Sequence, residues 1–180
     1  MKRRGNPGFD LYRPREEHDL LREAIRALAV DKIAPRAAEI DESHEFPWDI
    51  VELFREHEIF GLLFDEEHGG SGTGTLLALV AIEEVSKVCA TSGLLLAVQE
   101  LGSLGLKLAG SDEQKERFLP QLASGETLAA YALTEAGSGS DSAAMAAMSI
   151  AWTSLVTGPC AYACAASTSA CSAGGSVSTP

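Results

Sequence analysis

Apolar residues recur at helical spacing over most of the first 123 residues. Leu21, Ile25 and Leu28 lie three or four positions apart, which predicts a long helix over 14–40. Pro35 lacks a backbone donor, so a bend is expected there. Further helices are predicted from Pro47 to before Gly61, over 75–87, over 91–109, and from the capping box Ser111-Asp112-Glu113-Gln114 to 122.

The pattern changes after the turn Ser124-Gly125-Glu126. The run Thr127 to Thr134 is short and apolar, which predicts a buried strand. It is the first strand signal in the chain. The predicted fold class is therefore mostly α, with the start of a sheet after the helical domain.

The last part of the chain has a different composition. After Asp141 the sequence contains no Asp, Glu, Lys, Arg or His, and residues 146–180 are dominated by Ala, Ser, Thr, Gly and Cys. A folded surface normally carries charge. We therefore expect 10–126 to form a helical domain, 127–145 to begin a β-domain, and 146–180 to be a disordered, non-native tail.

Charge and composition exclude several function classes. The formal net charge is -12 over 180 residues, which disfavours nucleic-acid binding. No long uncharged apolar run and no secretion signal are present, so we expect a cytoplasmic protein that does not enter a membrane. The four cysteines fit no common zinc spacing, so no metal site is predicted.

The segment from Tyr131 to Asp141 is the candidate for chemistry. It places a threonine hydroxyl, two glycines and two serines directly after the predicted strand. Such a loop can present consecutive N–H groups to a phosphate. On physical grounds alone, a flexible polar turn fits the pattern equally well.

A family resemblance favours the first interpretation. The string Ala132-Leu133-Thr134-Glu135, followed after two residues by Ser138-Gly139-Ser140-Asp141, resembles the first signature of the acyl-CoA dehydrogenases. The upstream chain is similar too, at Ile33-Ala34-Pro35, at the acidic Gly-Gly turn 64–70, and at 110–120. The resemblance covers about residues 10–145.

The resemblance implies a site for FAD. By position, Tyr131, Leu133 and Thr134 would line the flavin ring, and Gly139 and Ser140 would lie along the diphosphate. Ser140 would also approach the CoA part of an acyl-CoA substrate. The helix segment 94–101 would contribute to the wall of the acyl pocket.

The resemblance also implies a reaction. The family performs FAD-dependent α,β-dehydrogenation of acyl-CoA thioesters in fatty-acid or branched-chain catabolism. Its members act as homodimers or homotetramers. They pass the electrons to an electron-transfer flavoprotein. Its general-base glutamate falls beyond this chain, and Glu83, Glu84 and Glu135 match structural or loop-flanking positions. We therefore expect a truncated form that is inactive in isolation.

Two alternatives stay open at this point. The chain could be a catalytically inactive helical interaction fragment, or a frameshifted product of a dehydrogenase gene. A shifted reading frame would explain the abrupt loss of charge near Ala146.

The frameshift alternative predicts a result that the nucleotide sequence can check. Translation of the other two frames beyond Ala146 is expected to restore a charged sequence that continues a β-domain. If neither frame does so, the frameshift explanation is wrong.

Overall fold

The computed structural model describes residues 16–132, 134, 139–141, 149–154 and 161–164, with the backbone alone described for the last two ranges. The fold is mostly helical, as predicted. The helices are α1 Glu16–Leu28, α2 Ala37–Ser43, α3 Trp48–Glu56, α4 Gly74–Ser86, α5 Ala90–Ala109 and α6 Asp112–Ala123. The strands are β1 Thr127–Ala132, β2 Ser149–Ser154 and β3 Ala161–Cys164. Within the described ranges, no helix is long and apolar enough to cross a membrane.

The first predicted helix is interrupted rather than continuous. A π-helical turn, Ala29–Ile33, and a 3-10 turn, Ala34–Arg36, separate α1 from α2. The Ala34 N–H bonds the Ala29 carbonyl, five residues back. Pro35 has no N–H to donate and its ring clashes with the preceding turn, so the helix widens and then bends at this point.

The start of α6 follows the sequence prediction. The Ser111 hydroxyl accepts a hydrogen bond from the Gln114 N–H at 3.3 Å, and the Gln114 side-chain oxygen accepts one from the Ser111 N–H at 2.9 Å. This reciprocal pair is the predicted capping box. It fixes where α6 begins after α5.

The main hydrophobic core lies among α1, α3, α4 and α5. Phe54 and Phe60 are fully buried there, and their rings meet edge to face with centroids 5.7 Å apart. A second buried cluster joins α5, α6 and β1 through residues that include Leu106, Leu119 and Leu122. The strand β1 is therefore attached to the helical domain by apolar packing.

A buried carboxylate links α1 to α4. The Glu84 side chain is 1% exposed, and its oxygens accept hydrogen bonds from Arg22 at 2.7 Å, Arg26 at 2.9 Å and Lys87 at 2.8 Å. The Arg26 hydrogen bond, followed by those of Lys87 and Arg22, outweighs burial and lowers the pKa of Glu84 from 4.5 to about 2. Glu84 is thus a charged structural group at neutral pH.

A buried amide joins α5 to α6 and β1. Gln99 is 1% exposed. Its side-chain nitrogen donates to the Leu122 carbonyl at 2.8 Å and the Thr127 carbonyl at 3.0 Å, and its side-chain oxygen accepts from the Ala129 N–H at 2.8 Å. We call this arrangement the Gln99 clamp. The clamp gives hydrogen-bond partners to the Thr127 carbonyl and the Ala129 N–H, which lie on the edge of β1 that faces away from β2.

Two glycines of α5 let other elements come close. A Cβ added at Gly102 would lie 2.6 Å from the Ala129 Cβ, so a larger residue would push β1 away. A Cβ added at Gly93 would lie 2.0 Å from the Ser86 hydroxyl oxygen at the end of α4. Gly102 and the Gln99 clamp together set the distance between α5 and β1.

The described strands form an antiparallel sheet in the order β1–β2–β3. Thr127 pairs with Ser154 and Ala132 with Ser149. β2 and β3 lie within 146–180, where no folded structure was expected, and the remainder of that range lies outside the described residues. Backbone pairing needs no particular side chain, and an unpaired strand edge is a template for any extended segment. The division into domains at 126 and 145 stays a prediction.

Glu84 and its three cationic partners, Arg22, Arg26 and Lys87, form the Glu84 cluster, which leads to a stability prediction. Glu84→Gln is expected to lower the free energy of unfolding at pH 7 by about 1–3 kcal/mol, because buried hydrogen bonds to a charged group are lost. The pKa of Glu84 is lowered on folding, so its contribution is complete above about pH 4.5 and disappears as the pH falls toward 2. Urea unfolding should therefore show the difference between the variant and the wild type shrinking below about pH 4.5.

Glu83→Gln is the matched control, because Glu83 is the neighbouring glutamate with its side chain 51% exposed. It should cost much less stability than Glu84→Gln. Equal effects of the two substitutions at pH 7 would contradict the structural role assigned to Glu84.

The Gln99 clamp leads to a second prediction. Gln99→Leu keeps the bulk but removes the side-chain partner of the Thr127 carbonyl and the Ala129 N–H in β1, so we expect a loss of about 2–4 kcal/mol in unfolding free energy. Gln121→Leu is the control, since Gln121 is exposed on α6 and its side chain bonds the Thr127 hydroxyl and the Arg117 carbonyl rather than the β1 backbone; its expected loss is under about 1 kcal/mol. Similar losses in both variants, measured by urea unfolding, would rule out the clamp.

Candidate functional site

A groove of about 440 Å³ lies between α5, β1 and the connection from α2 to α3. This volume falls in the range typical of small-molecule sites. We call it the α5–β1 groove. Its lining residues are Phe46, Pro47, Trp48, Thr91, Leu94, Leu95, Val98, Gln99, Leu128, Ala129 and Ala130.

The composition of the α5–β1 groove favours an apolar ligand. Among the described residues that line it, none carries a charge, and Gln99 and Thr91 supply the polar side chains. The Gln99 amide is already bonded to backbone groups of α6 and β1. The remaining lining is aliphatic or aromatic, so a hydrocarbon chain would be stabilised there by removal from water.

Part of α5 forms one wall of the groove. Of the segment 94–101, Leu94, Leu95, Val98 and Gln99 line the groove, whereas Leu96 is buried in the helical core. The assignment of this segment to an acyl pocket stays a prediction. Leu94 is 59% exposed, so much of its side chain is open to a ligand.

The second wall was not anticipated from the sequence. Phe46 and Trp48, which we call the aromatic pair, are 47% and 48% exposed, and their ring centroids lie 4.6 Å apart at a tilt of 57°. The buried Pro47 stands between them in the chain and precedes α3. The sequence signal was a Phe-Pro-Trp triplet at a helix start, which the helical periodicity does not single out.

The predicted flavin residues follow β1. Tyr131 lies in β1 and is half-buried, while Thr134, Gly139 and Ser140 are exposed. Leu133 lies outside the described residues. Thr134 is four residues from Ala130 of the groove, so their Cα atoms are at most about 14 Å apart. Tyr131 therefore lies on the same strand as the groove residues Leu128, Ala129 and Ala130, and Thr134 follows shortly after that strand ends.

The described part of this loop has donors suited to a flavin nucleotide. Thr134 and Ser140 carry hydroxyls that are open to solvent, and a Cβ added at Gly139 would meet nothing within 4 Å. Backbone N–H groups at such a glycine can be approached closely by a phosphate or ring edge. The residues present thus fit the chemistry of FAD, and their individual roles stay predictions.

Carboxylates that could serve as a base are placed elsewhere. Glu84 is held by three cations, and Glu83 bonds Lys87 and Arg22, which lowers its pKa also. Neither lines the α5–β1 groove. Glu135 lies outside the described residues. In the part of the chain that the structure describes, no group of His, Cys, Asp or Glu side chains could hold a metal ion.

The helical domain matches a known family. Residues 15–126 match the family model for the acyl-CoA dehydrogenase N-terminal domain. The probable acyl-CoA dehydrogenase FadE25 of Mycobacterium tuberculosis is 45% identical over 141 residues, which cover 78% of this chain and 36% of that protein. The chain therefore spans about a third of the length of this relative.

Solved structures agree with the sequence match. A glutaryl-coenzyme A dehydrogenase in complex with glutaryl-CoA superposes with a TM-score of 0.68 at 28% identity, covering 77% of this chain and 38% of that one. An acyl-CoA dehydrogenase complexed with FAD from Bacillus anthracis gives a TM-score of 0.66 at 27% identity, covering 83% and 27%. The chain belongs to the acyl-CoA dehydrogenase family.

Proposed function

We propose that this chain supplies part of the acyl-binding surface and the first flavin loop of an FAD-dependent acyl-CoA dehydrogenase. The observation that carries the proposal is the position of the α5–β1 groove. Its lining is apolar apart from the side chains of Thr91 and Gln99, and one of its walls is β1, the strand that precedes Thr134. An acyl group in this groove would point toward the loop that follows β1.

The chain's own residues bind and orient the acyl group. Leu94 and Val98 of α5 and Leu128 of β1 exclude water from the acyl chain, since they form opposite apolar walls. The Gln99 clamp and Gly102 keep these walls at a fixed separation. Such preorganisation lowers the entropic cost of binding a flexible chain.

The loop after β1 receives the cofactor. Thr134 would hydrogen-bond the polar edge of the flavin ring beside Tyr131, and Gly139 and Ser140 would meet the diphosphate through backbone N–H groups. Local donors are needed there, because a chain with a net charge of -12 repels phosphate at long range. When bound, FAD supplies the acceptor for the hydride that leaves the β-carbon of the substrate.

Proton abstraction requires a base that the described groove does not contain. No carboxylate is found among the described lining residues, and Glu84 is committed to its cation cluster. General-base catalysis depends on a positioned acceptor for the α-proton. We therefore propose that this 180-residue chain binds acyl groups and does not dehydrogenate them by itself.

The substrates, the electron acceptor and the assembly that we propose are those of the family. The substrates would be acyl-CoA thioesters of fatty-acid or branched-chain catabolism, and an electron-transfer flavoprotein would reoxidise the flavin. A homodimer or homotetramer would be the active assembly.

The proposal predicts selective binding of the acyl part of the ligand. Calorimetry on the 180-residue chain should show octanoyl-CoA binding at least about tenfold more tightly than free CoA, because the chain buries methylenes in the groove. Leu94→Asp should remove that difference by placing a charge in the apolar wall.

Leu108→Asp is the matched control, since Leu108 lies on the same helix, is 77% exposed and is not a lining residue. It should leave the affinity for octanoyl-CoA unchanged within about twofold. Equal affinities for octanoyl-CoA and CoA in the wild type, or equal effects of the two aspartates, would contradict the proposed function.

A further inference from the structure

We infer that the aromatic pair, Phe46 and Trp48, sets the length of the acyl group that the α5–β1 groove accepts. The inference rests on the proposed function, because it requires an acyl chain in the groove. It assigns specificity to a segment that lies far from the flavin loop in the sequence, between α2 and α3.

The aromatic pair is held firmly in place. Pro47 is buried, and the Trp48 N–H donates to the Phe46 carbonyl at 3.0 Å. The next residue, Asp49, accepts a hydrogen bond from the Arg36 side chain at 2.8 Å, which ties the start of α3 to the turn before α2. The same contact lowers the pKa of Asp49, so the ion pair persists at neutral pH. The backbone that carries the two rings is therefore anchored beside the groove.

The rings also leave apolar surface uncovered. Both are about half exposed, at 47% and 48%, although they touch each other and border an apolar groove. A ligand that covers large exposed aromatic surface gains free energy of binding from it. The exposed faces of the aromatic pair thus add an apolar surface for the acyl chain.

The other walls are less able to limit chain length. On β1 the groove is bordered partly by the small residues Ala129 and Ala130, and the clamp and Gly102 fix β1 against α5. On α5 the lining residues Thr91, Leu94 and Val98 recur at helical spacing, so they lie on one face along the helix axis. Phe46 and Trp48 carry the aromatic rings of the lining, and we assign to them the bulk that limits the length of the acyl chain.

A chain-length series tests this role. Each methylene that enters the groove should tighten binding by about fourfold, until the chain meets the aromatic pair. In the wild-type 180-residue chain, calorimetry with acyl-CoAs from butyryl to hexadecanoyl should show affinity rising and then reaching a plateau. In Trp48→Ala the rise should continue to longer chains, so that ligands beyond the wild-type plateau bind at least about tenfold more tightly than they bind the wild type.

Trp48→Phe is the conservative control and should keep the wild-type plateau, because an aromatic ring remains. Phe46→Ala provides a second variant that leaves the start of α3 intact, and it should also move the plateau to longer chains. An unchanged plateau in both alanine variants would overturn the inference while leaving the proposed function standing. Affinity that does not rise with chain length in the wild type would overturn the proposed function and the inference with it.

Discussion

The buried amide of Gln99 is the interaction on which the arrangement of the site depends. Its three hydrogen bonds reach the end of α6 and the first residues of β1, so one side chain fixes a strand against two helices. β1 has β2 on one edge, and the clamp satisfies the backbone on the other. A strand edge left open in this position would carry unpaired polar groups beside an apolar core, which is costly.

The groove and the flavin loop follow from that attachment. Gly102 lets β1 approach α5 closely, and Leu128 and Ala129 of β1 line the same groove as Leu95 and Val98 of α5. The same strand carries Tyr131 and leads to Thr134. Within the helical domain, which matches the family over residues 15–126, the ion pairs of Glu84 hold α1 against α4.

Helical periodicity and capping chemistry predicted α4 to α6 closely, because the signals are local to each helix, whereas α3 ends at Glu56 and not just before Gly61 as predicted. The break between α1 and α2 was foreseen as a bend at Pro35, although its π-helical form depends on backbone geometry that residue spacing does not encode. The aromatic pair and the Gln99 clamp were missed, since both act across elements distant in sequence. One local feature of the sequence could have indicated the role of Gln99. It lies at helical spacing with the buried residues of α5, which include Ser92, Leu96, Ser103 and Leu106. A glutamine in such a position needs buried partners.

Binding of acyl chains between α5 and β1 is tested most directly by methyl-labelled NMR of the 180-residue chain with octanoyl-CoA. Intermolecular contacts from the acyl methylenes to the methyl groups of Leu94, Leu95 and Leu128 are the predicted result. The described residues also form an apolar groove of about 600 Å³ lined by Leu21, Leu28 and Ile59, among others. Acyl contacts to those residues, with none to Leu94 or Leu128, would contradict the account.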